Sequence, residues 1–416
     1  MMNFKKYSNV TKVVIPNGVQ LSSTDFGSTF FCMSNLKEVF IPNRATSLYR
    51  TYYNCFNLTG SPVCGNNVLD MYQTYTNCYN LTGSPVCGNN VTNMRHTYYN
   101  CFNLTGSPVC GNNVTNMYGT YLNCYNLTGS PVCGNNVANM GSTYGNCNNI
   151  TGSPVCGNNV TVMSLTYSNC SKLTGSPVCG ENVVDMYSAY FNCYNLTGSP
   201  VCGNNVKNMT FVYHNCSNLI ASPVCGNNVT SMKATYYNCT NLTGSPVCGE
   251  NVALMDGAYQ NCTNLTGSPV CGNNVTSMRA TYYNCWNLTG SPVCGEKVTD
   301  MSGGMLTNMY AQSGIYGAYQ NCPNLFGNSY FYSSNIANVI NCFRGRNTLN
   351  ILSIYVPASS TSLITLLTNN TSSLVGAEIT WTDDTSTNGC YYNTQYNIYI
   401  YPVENVAAAR TANGDD

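Results

Sequence analysis

A nine-residue string, Asn-Leu-Thr-Gly-Ser-Pro-Val-Cys-Gly, first appears at Asn57 and returns almost unchanged down to Asn287. Its leucine position falls at Leu58, Leu81, Leu104, Leu127, Ile150, Leu173, Leu196, Leu219, Leu242, Leu265 and Leu288, each step being 23 residues. A fixed period of this length means one short supersecondary unit stacked on copies of itself. Such a unit buries its apolar face only against its neighbours, so a chain of 416 residues need not divide into separate globular cores.

Residues 8–57 hold two irregular opening turns. The first contains Val10, Val13, Val14, Ile15 and Pro16, then Val19; the second contains Leu36, Val39, Ile41 and Pro42, followed by Tyr52 and Cys55. The pattern Leu-x-x-Val-x-Ile-Pro, then an aromatic and a Cys before the next Leu, resembles the BspA-like leucine-rich repeat family. The resemblance covers about residues 8–357. It implies a leucine-rich-repeat solenoid, α/β or mainly β, of a kind found in bacterial surface proteins, protist proteins and phage genomes, with surface adhesion or host interaction as the implied role. On that pattern Leu58 matches Leu36, Ser61 matches Val39, Val63 matches Ile41, and Cys64 stands at the position of Pro42. Ser61 is small and polar where the family carries an aliphatic residue.

Within one regular unit, Leu58, Ser61 and Val63 are expected to point inward from a short extended segment, with Thr59 and Pro62 outward. Pro62 lacks an N–H, so any ladder there is short. Gly65-Asn66-Asn67 forms a turn, because Gly and Asn tolerate positive φ. Val68, Met71, Tyr75 and Cys78 follow at spacings that suit a helical or 3₁₀-like return segment with one buried stripe. About fourteen such turns at the usual strand spacing predict a rod about 65–70 Å long.

The organisation expected is degenerate N-terminal repeats over residues 1–57, regular repeats over 58–301, an inserted loop and degenerate closing repeats over 302–357, and a C-terminal cap or attachment module over 358–416. In that module residues 362–367 predict a short helix, 379–382 and 397–401 predict strands, and 407–416 a disordered tail.

Charged residues are 7% of the chain, 15 basic against 15 acidic. No basic patch tracks a phosphate backbone, which argues against nucleic acid as a partner. A near-neutral surface of Asn, Thr, Ser and Tyr gives little colloidal repulsion and favours recognition or assembly. No apolar stretch reaches the roughly 18 residues needed to span a bilayer. The first residues do not lead into the apolar core of a signal peptide. Triplets such as Asn80-Leu81-Thr82 and Asn90-Val91-Thr92 would crowd the stack if all were glycosylated, so a bacterial or viral protein made in the cytoplasm is expected, destined for a cell surface or virion, or staying inside.

Of 26 cysteines, two columns of eleven step by 23, from Cys55 to Cys285 and from Cys64 to Cys294. The Cys-x₈-Cys-x₁₃-Cys spacing does not gather four ligands for zinc. Side chains parallel in one column suit disulfide geometry poorly. Both columns are therefore expected to be buried free thiols, with disulfides the alternative. His96 and His214 sit in no acid–base or nucleophile constellation, and no phosphate loop is present, so no catalytic residue, cofactor or metal is expected and the chain is not an enzyme.

Variation between units gathers after Met71, after Tyr75 and after Cys78. The column after the second cysteine carries Phe56, Tyr79, Phe102 and Tyr125 in succession, and later Tyr194 and Trp286. These six are the candidate binding residues for a protein or cell-surface glycan partner. The competing readings are that they pack between turns as a corner seal, and that the chain is a structural rod whose partners are copies of itself.

Overall fold

The computed structural model describes residues 9–20, 23–302, 317–369 and 374–415. The chain divides into two compact units, Met1–Gly203 and Asn204–Asp416.

In the first unit the opening turns pair as two short parallel strands, β1 (Lys12–Val14) and β2 (Glu38–Phe40), with an ion pair between Lys12 and Glu38 at 2.7 Å. The regular turns that follow form no such ladder at the repeated motif. Leu58 and Pro62 are buried, whereas Ser61 is exposed and Val63 is 43% exposed. This corrects the expected facing, in which Ser61 and Val63 pointed in and Pro62 out. Two features account for it. Gly60 takes a left-handed φ of 80° and breaks the two-residue alternation after Leu58. The Tyr75 hydroxyl then accepts from the Val63 N–H (2.9 Å) and donates to the Val63 carbonyl (2.7 Å). With its peptide groups turned inward to a side chain, Val63 has nothing to offer the neighbouring turn.

The expected stripe of Val68, Met71, Tyr75 and Cys78 is buried throughout, but the return segment is not helical. Gln73 and Asn77 both have positive φ (52° and 62°), and their equivalents repeat this down the stack. A left-handed residue every fourth position forbids a continuous right-handed helix. Instead, the N–H groups of Met71, Gln73, Tyr75 and Asn77 donate to the carbonyls of Asn93, Arg95, Thr97 and Tyr99 one turn on, at 2.8–3.0 Å. The N–H groups of Thr74 and Cys78 close local turns onto Met71 and Tyr75. The main chain therefore carries most of its inter-turn bonding on the return segment, where isolated parallel bridges link Asp70, Asn93, Asn116 and Asn139 in sequence; the motif adds one bond per turn, as from Thr82 N–H to the Gly60 carbonyl (3.0 Å).

Two side-chain columns reinforce that bonding. Tyr52, Tyr75, Tyr98, Tyr121, Tyr144, Tyr167 and Tyr190 are fully buried, with neighbouring ring centroids 5.0–5.6 Å apart and nearly parallel planes. Asn77, Asn100, Asn123 and Asn146 each donate through Nδ2 to the Oδ1 of the asparagine one turn earlier, at 2.6–2.7 Å. Asparagine suits this place twice over, since it tolerates positive φ and both donates and accepts.

The second unit repeats the same turn. Tyr213, Tyr236, Tyr259, Tyr282 and Tyr319 stack at 5.3–5.6 Å, and Asn238, Asn261, Asn284 and Asn321 continue the amide chain. A true sheet begins at β3 (Val293–Cys294) and runs in the order β3, β4 (Gly327–Phe331), β5 (Leu352–Pro357), β8 (Ile398–Val403), β7 (Cys390–Asn393), β6 (Thr382–Asp384). Pairing is parallel from β3 to β8 and antiparallel beyond. Helix α1 (Thr361–Thr368) buries Leu363 and Leu367, as the sequence predicts for 362–367. The predicted strand at 379–382 instead starts at Thr382. The tail expected to be disordered forms helix α2 (Val406–Ala412), capped by the Asn405 side chain, and Asp415 beyond it accepts from the Tyr330 hydroxyl and Asn328. Most of the predicted loop at 302–317, namely 303–316, lies outside the described residues.

Candidate binding surface

The second cysteine of each turn sets the corner. Cys78 is buried and its thiol donates to the Tyr52 carbonyl of the preceding turn (3.2 Å). Cys101, Cys124 and Cys147 repeat this at 3.1 Å. Burial pushes these thiols up, Cys55 to about 12, and suppresses thiolate. The residue after this cysteine therefore emerges at the surface.

There Phe56, Tyr79, Phe102 and Tyr125 form one stack, with ring centroids 5.1, 4.9 and 5.3 Å apart. The first three are half-buried and Tyr125 is 40% exposed. The structure thus brings four of the six candidates together. Tyr194, 44% exposed, is in the same column of the first unit but beyond Asn148 and Ser171; Trp286, 53% exposed, belongs to the second unit. Because the rings stack on one another, Tyr79 and Phe102 have both faces covered and offer only their edges. Tyr125 ends the aromatic run, with Phe102 on one face and Asn148 at the next place in the column.

A second column, after Met71, is one of the three variable positions, although its residues are not among the six candidates. Tyr49 stacks on Tyr72 at 5.2 Å, and the Arg95 guanidinium lies over the rings of Tyr72 (5.8 Å) and Tyr118 (5.2 Å). His96 meets Tyr118 and Tyr99 edge-on at 5.1 and 5.4 Å. Tyr, Tyr, Arg and Tyr at steps of 23 was a signal of the same kind as the corner column, and the same comparison of units would have found it.

The two cysteine columns differ, which corrects the expectation that both are buried. Cys64, Cys87 and Cys110 are half-buried at a turn, each near the carbonyl of its following glycine (3.5–3.6 Å). Gly88 N–H donates to Cys64 Sγ at 3.2 Å, and a Cβ at Gly88 would lie 2.7 Å from the Gly65 carbonyl, so the Cys-Gly pair is a packing unit between turns. All 26 cysteines are free thiols. Among the described residues no group of three or more His, Cys, Asp or Glu is placed to hold a metal ion, and no helix is long and apolar enough to cross a membrane. In the second unit a concavity of about 570 Å³ is lined by Cys248, Glu250, Cys271, Glu296, Tyr332 and Arg410.

A leucine or isoleucine is buried at every 23rd residue from Leu58 to Leu288, and each closes its turn by an N–H to the preceding cysteine carbonyl. The fold is a leucine-rich-repeat solenoid. No protein-family model matches the chain, and no curated protein matches it. Among solved structures it is similar to a leucine-rich repeat protein from Bacteroides ovatus, with 14% identity over 84% of this chain and 79% of that one and a TM-score of 0.43. It is also similar to a leucine rich cell surface protein from Faecalibacterium prausnitzii, with 14% identity over 70% and 87% and a TM-score of 0.33. Within the solenoid the repeated Leu, Val, Met, Tyr and second Cys positions are buried, whereas Ser61 and Val63 face outward.

Proposed function

We propose that this solenoid is a non-enzymatic binding or adhesion protein, displayed at a cell surface or on a phage virion as a receptor-binding or tail-associated component. The observation that carries this reading is the aromatic column of Phe56, Tyr79, Phe102 and Tyr125, three half-buried rings with their edges outward and an exposed Tyr125, on a surface with almost no charge. Exposed aromatics on a rigid scaffold supply contact area at little entropic cost, and suit a protein or a cell-surface glycan. Residues 358–416 act on this reading as a cap and attachment module. The test is to change Phe56, Tyr79, Phe102 and Tyr125 together to Ser. The variant should keep its circular dichroism spectrum while losing binding on a printed array of bacterial and animal glycans and to intact bacterial cells. Collapse of the fold would assign the column to packing instead.

A second reading has its own support. Strands β1 and β6 are edges of their sheets with no pairing partner on one side among the described residues, and such edges template pairing with another chain. On this reading the chain is a structural rod or filament subunit. Size-exclusion chromatography with negative-stain imaging separates the two: long polymers support the filament, and monodisperse particles support the binding module.

A further inference from the structure

Arg95 is held in place before any ligand arrives. Its backbone N–H donates to Asn93 Oδ1 (3.1 Å), its carbonyl accepts from Gln73 N (3.0 Å), and its guanidinium sits over the rings of Tyr72 and Tyr118. The side chain is exposed, and among the described residues no acceptor engages the guanidinium. Stacking restricts the planar group while its N–H donors stay in the plane, along an open rim.

The equivalent repeat position in the second unit shows what such an arginine takes. Arg279, eight periods along the sequence, has its Nε 2.9 Å from a carboxylate oxygen of Asp300, 21 residues later. The residue 21 positions after Arg95 is Asn116. Asn116 keeps the local role, since its Oδ1 accepts from Tyr118 N (2.9 Å) just as Asp300 Oδ1 accepts from Ser302 N (2.9 Å). It lacks the second carboxylate oxygen. At Arg95 the internal carboxylate is missing and the fork is open.

We infer that Arg95, clamped by Tyr72 and Tyr118, binds a carboxylate of an acidic polysaccharide. A carboxylate matches the guanidinium fork in plane and in two-point geometry. The surroundings select a polyhydroxylated carrier: exposed Thr92 and Thr115, the half-exposed amides of Asn93 and Asn116, and the tyrosine hydroxyls are neutral donors and acceptors. Asp70, an acid one turn back, already has its Oδ1 engaged by Tyr72 N and Asn93 Nδ2. One cation, with Asp70 one turn back and otherwise neutral hydrogen-bonding groups, suits a chain whose charges are spaced by sugar hydroxyls, and not a dense polyphosphate.

The test uses the full chain on immobilised polygalacturonate, with dextran, dextran sulfate and poly-glutamate as parallel surfaces. The wild type should bind polygalacturonate and not dextran. Arg95→Lys, which keeps the charge and loses the fork, and Asn116→Asp, which supplies the carboxylate that Asp300 gives Arg279, should each weaken binding about tenfold or more with unchanged circular dichroism. The corner-column quadruple variant should bind polygalacturonate as the wild type does, which keeps this site separate from the one proposed above. Absence of wild-type binding, or an Asn116→Asp variant that binds normally, overturns the inference. Equal retention on dextran sulfate would reduce it to general polyanion attraction, and equal N116D-sensitive retention on poly-glutamate would overturn the assignment to a polysaccharide.

Discussion

The Tyr75 hydroxyl is hydrogen-bonded to both main-chain groups of Val63, 2.9 Å from its nitrogen and 2.7 Å from its carbonyl oxygen. The same bridge joins Tyr98 to Val86, Tyr121 to Val109 and Tyr144 to Val132. It takes the place of a β-ladder. Where the main chain does enter a ladder, at β3, Val293 N donates to Pro269 and its carbonyl accepts from Cys271, and the Tyr319 hydroxyl is left buried without a partner.

This contrast gives a paired prediction. Tyr121→Phe strips Val109 of both partners, so it should cost about 1–3 kcal/mol. Tyr319→Phe removes a hydroxyl that bonds nothing, and should be neutral or slightly stabilising. Denaturant unfolding of the two variants beside the wild type measures both; equal losses would mean the bridge contributes nothing.

The asparagine column makes a second prediction. Asn123 has φ of 66° and sits within an amide chain at 2.6–2.7 Å to either side. Asn123→Ala loses the ladder and suffers the left-handed penalty, for roughly 2 kcal/mol in all. Asn123→Gly loses the ladder but adopts the conformation freely, so it should cost about half as much. The ordering of the two unfolding midpoints is the measurement.

The period, the buried Leu, Val, Met, Tyr and Cys positions, and helix α1 were all legible in the sequence, because burial at a fixed spacing leaves a plain trace. The facing of Ser61, Pro62 and Val63 was not, because it is decided by the left-handed turn at Gly60 and a hydroxyl twelve residues away, and not by two-residue alternation. The turn-built return segment was hidden for a related reason: the apolar spacing of Val68, Met71 and Tyr75 is the same whether the chain between them is helical or kinked at Gln73. Asn77 held the clue, as an asparagine at a fixed site that left-handed backbone explains. Of the surface, the corner column could be found by comparing units; that its rings cover one another's faces needed coordinates.

Acid should loosen the second unit through His214. Burial lowers this histidine from 6.5 to about 4, against Tyr237 stacked at 4.4 Å. The folded state holds it neutral while the unfolded chain takes up a proton, so stability is full above about pH 6.5 and falls as the pH drops toward 4. Between pH 7 and pH 5 the loss should be on the order of 2 kcal/mol. His214→Phe keeps an aromatic ring and should flatten that part of the pH profile of thermal unfolding; an unchanged slope would show that His214 is not its source.

Thiol labelling should resolve three classes. Cys32 is exposed and should react with iodoacetamide first. Cys87 and Cys110 are half-buried and pushed up to about 11 by burial, so they should label slowly and faster as pH rises. Cys78, Cys101 and Cys124 are buried and donate to main-chain carbonyls, and should label only with unfolding. Peptide mass spectrometry of a timed reaction reads all three; early labelling at Cys101 would contradict the packing described.

Deleting residues 127–149 should leave a folded, shorter first unit. The cut removes one full period, and the new junction sets Asn126 before Ile150, which resumes the motif with the same phase. Each ladder then closes on an equivalent partner: Tyr121 can stack on Tyr167, as it now does on Tyr144, and Asn169 can donate to Asn123, as Asn146 now does. Stability in such an array is nearly a sum of nearest-neighbour terms, so the loss should be that of one unit and its interface, not of the fold. Circular dichroism with hydrogen exchange would show it directly: protected amides in the remaining turns are expected, and uniform exchange across residues 58–126 would mean that the turns do not act as interchangeable units.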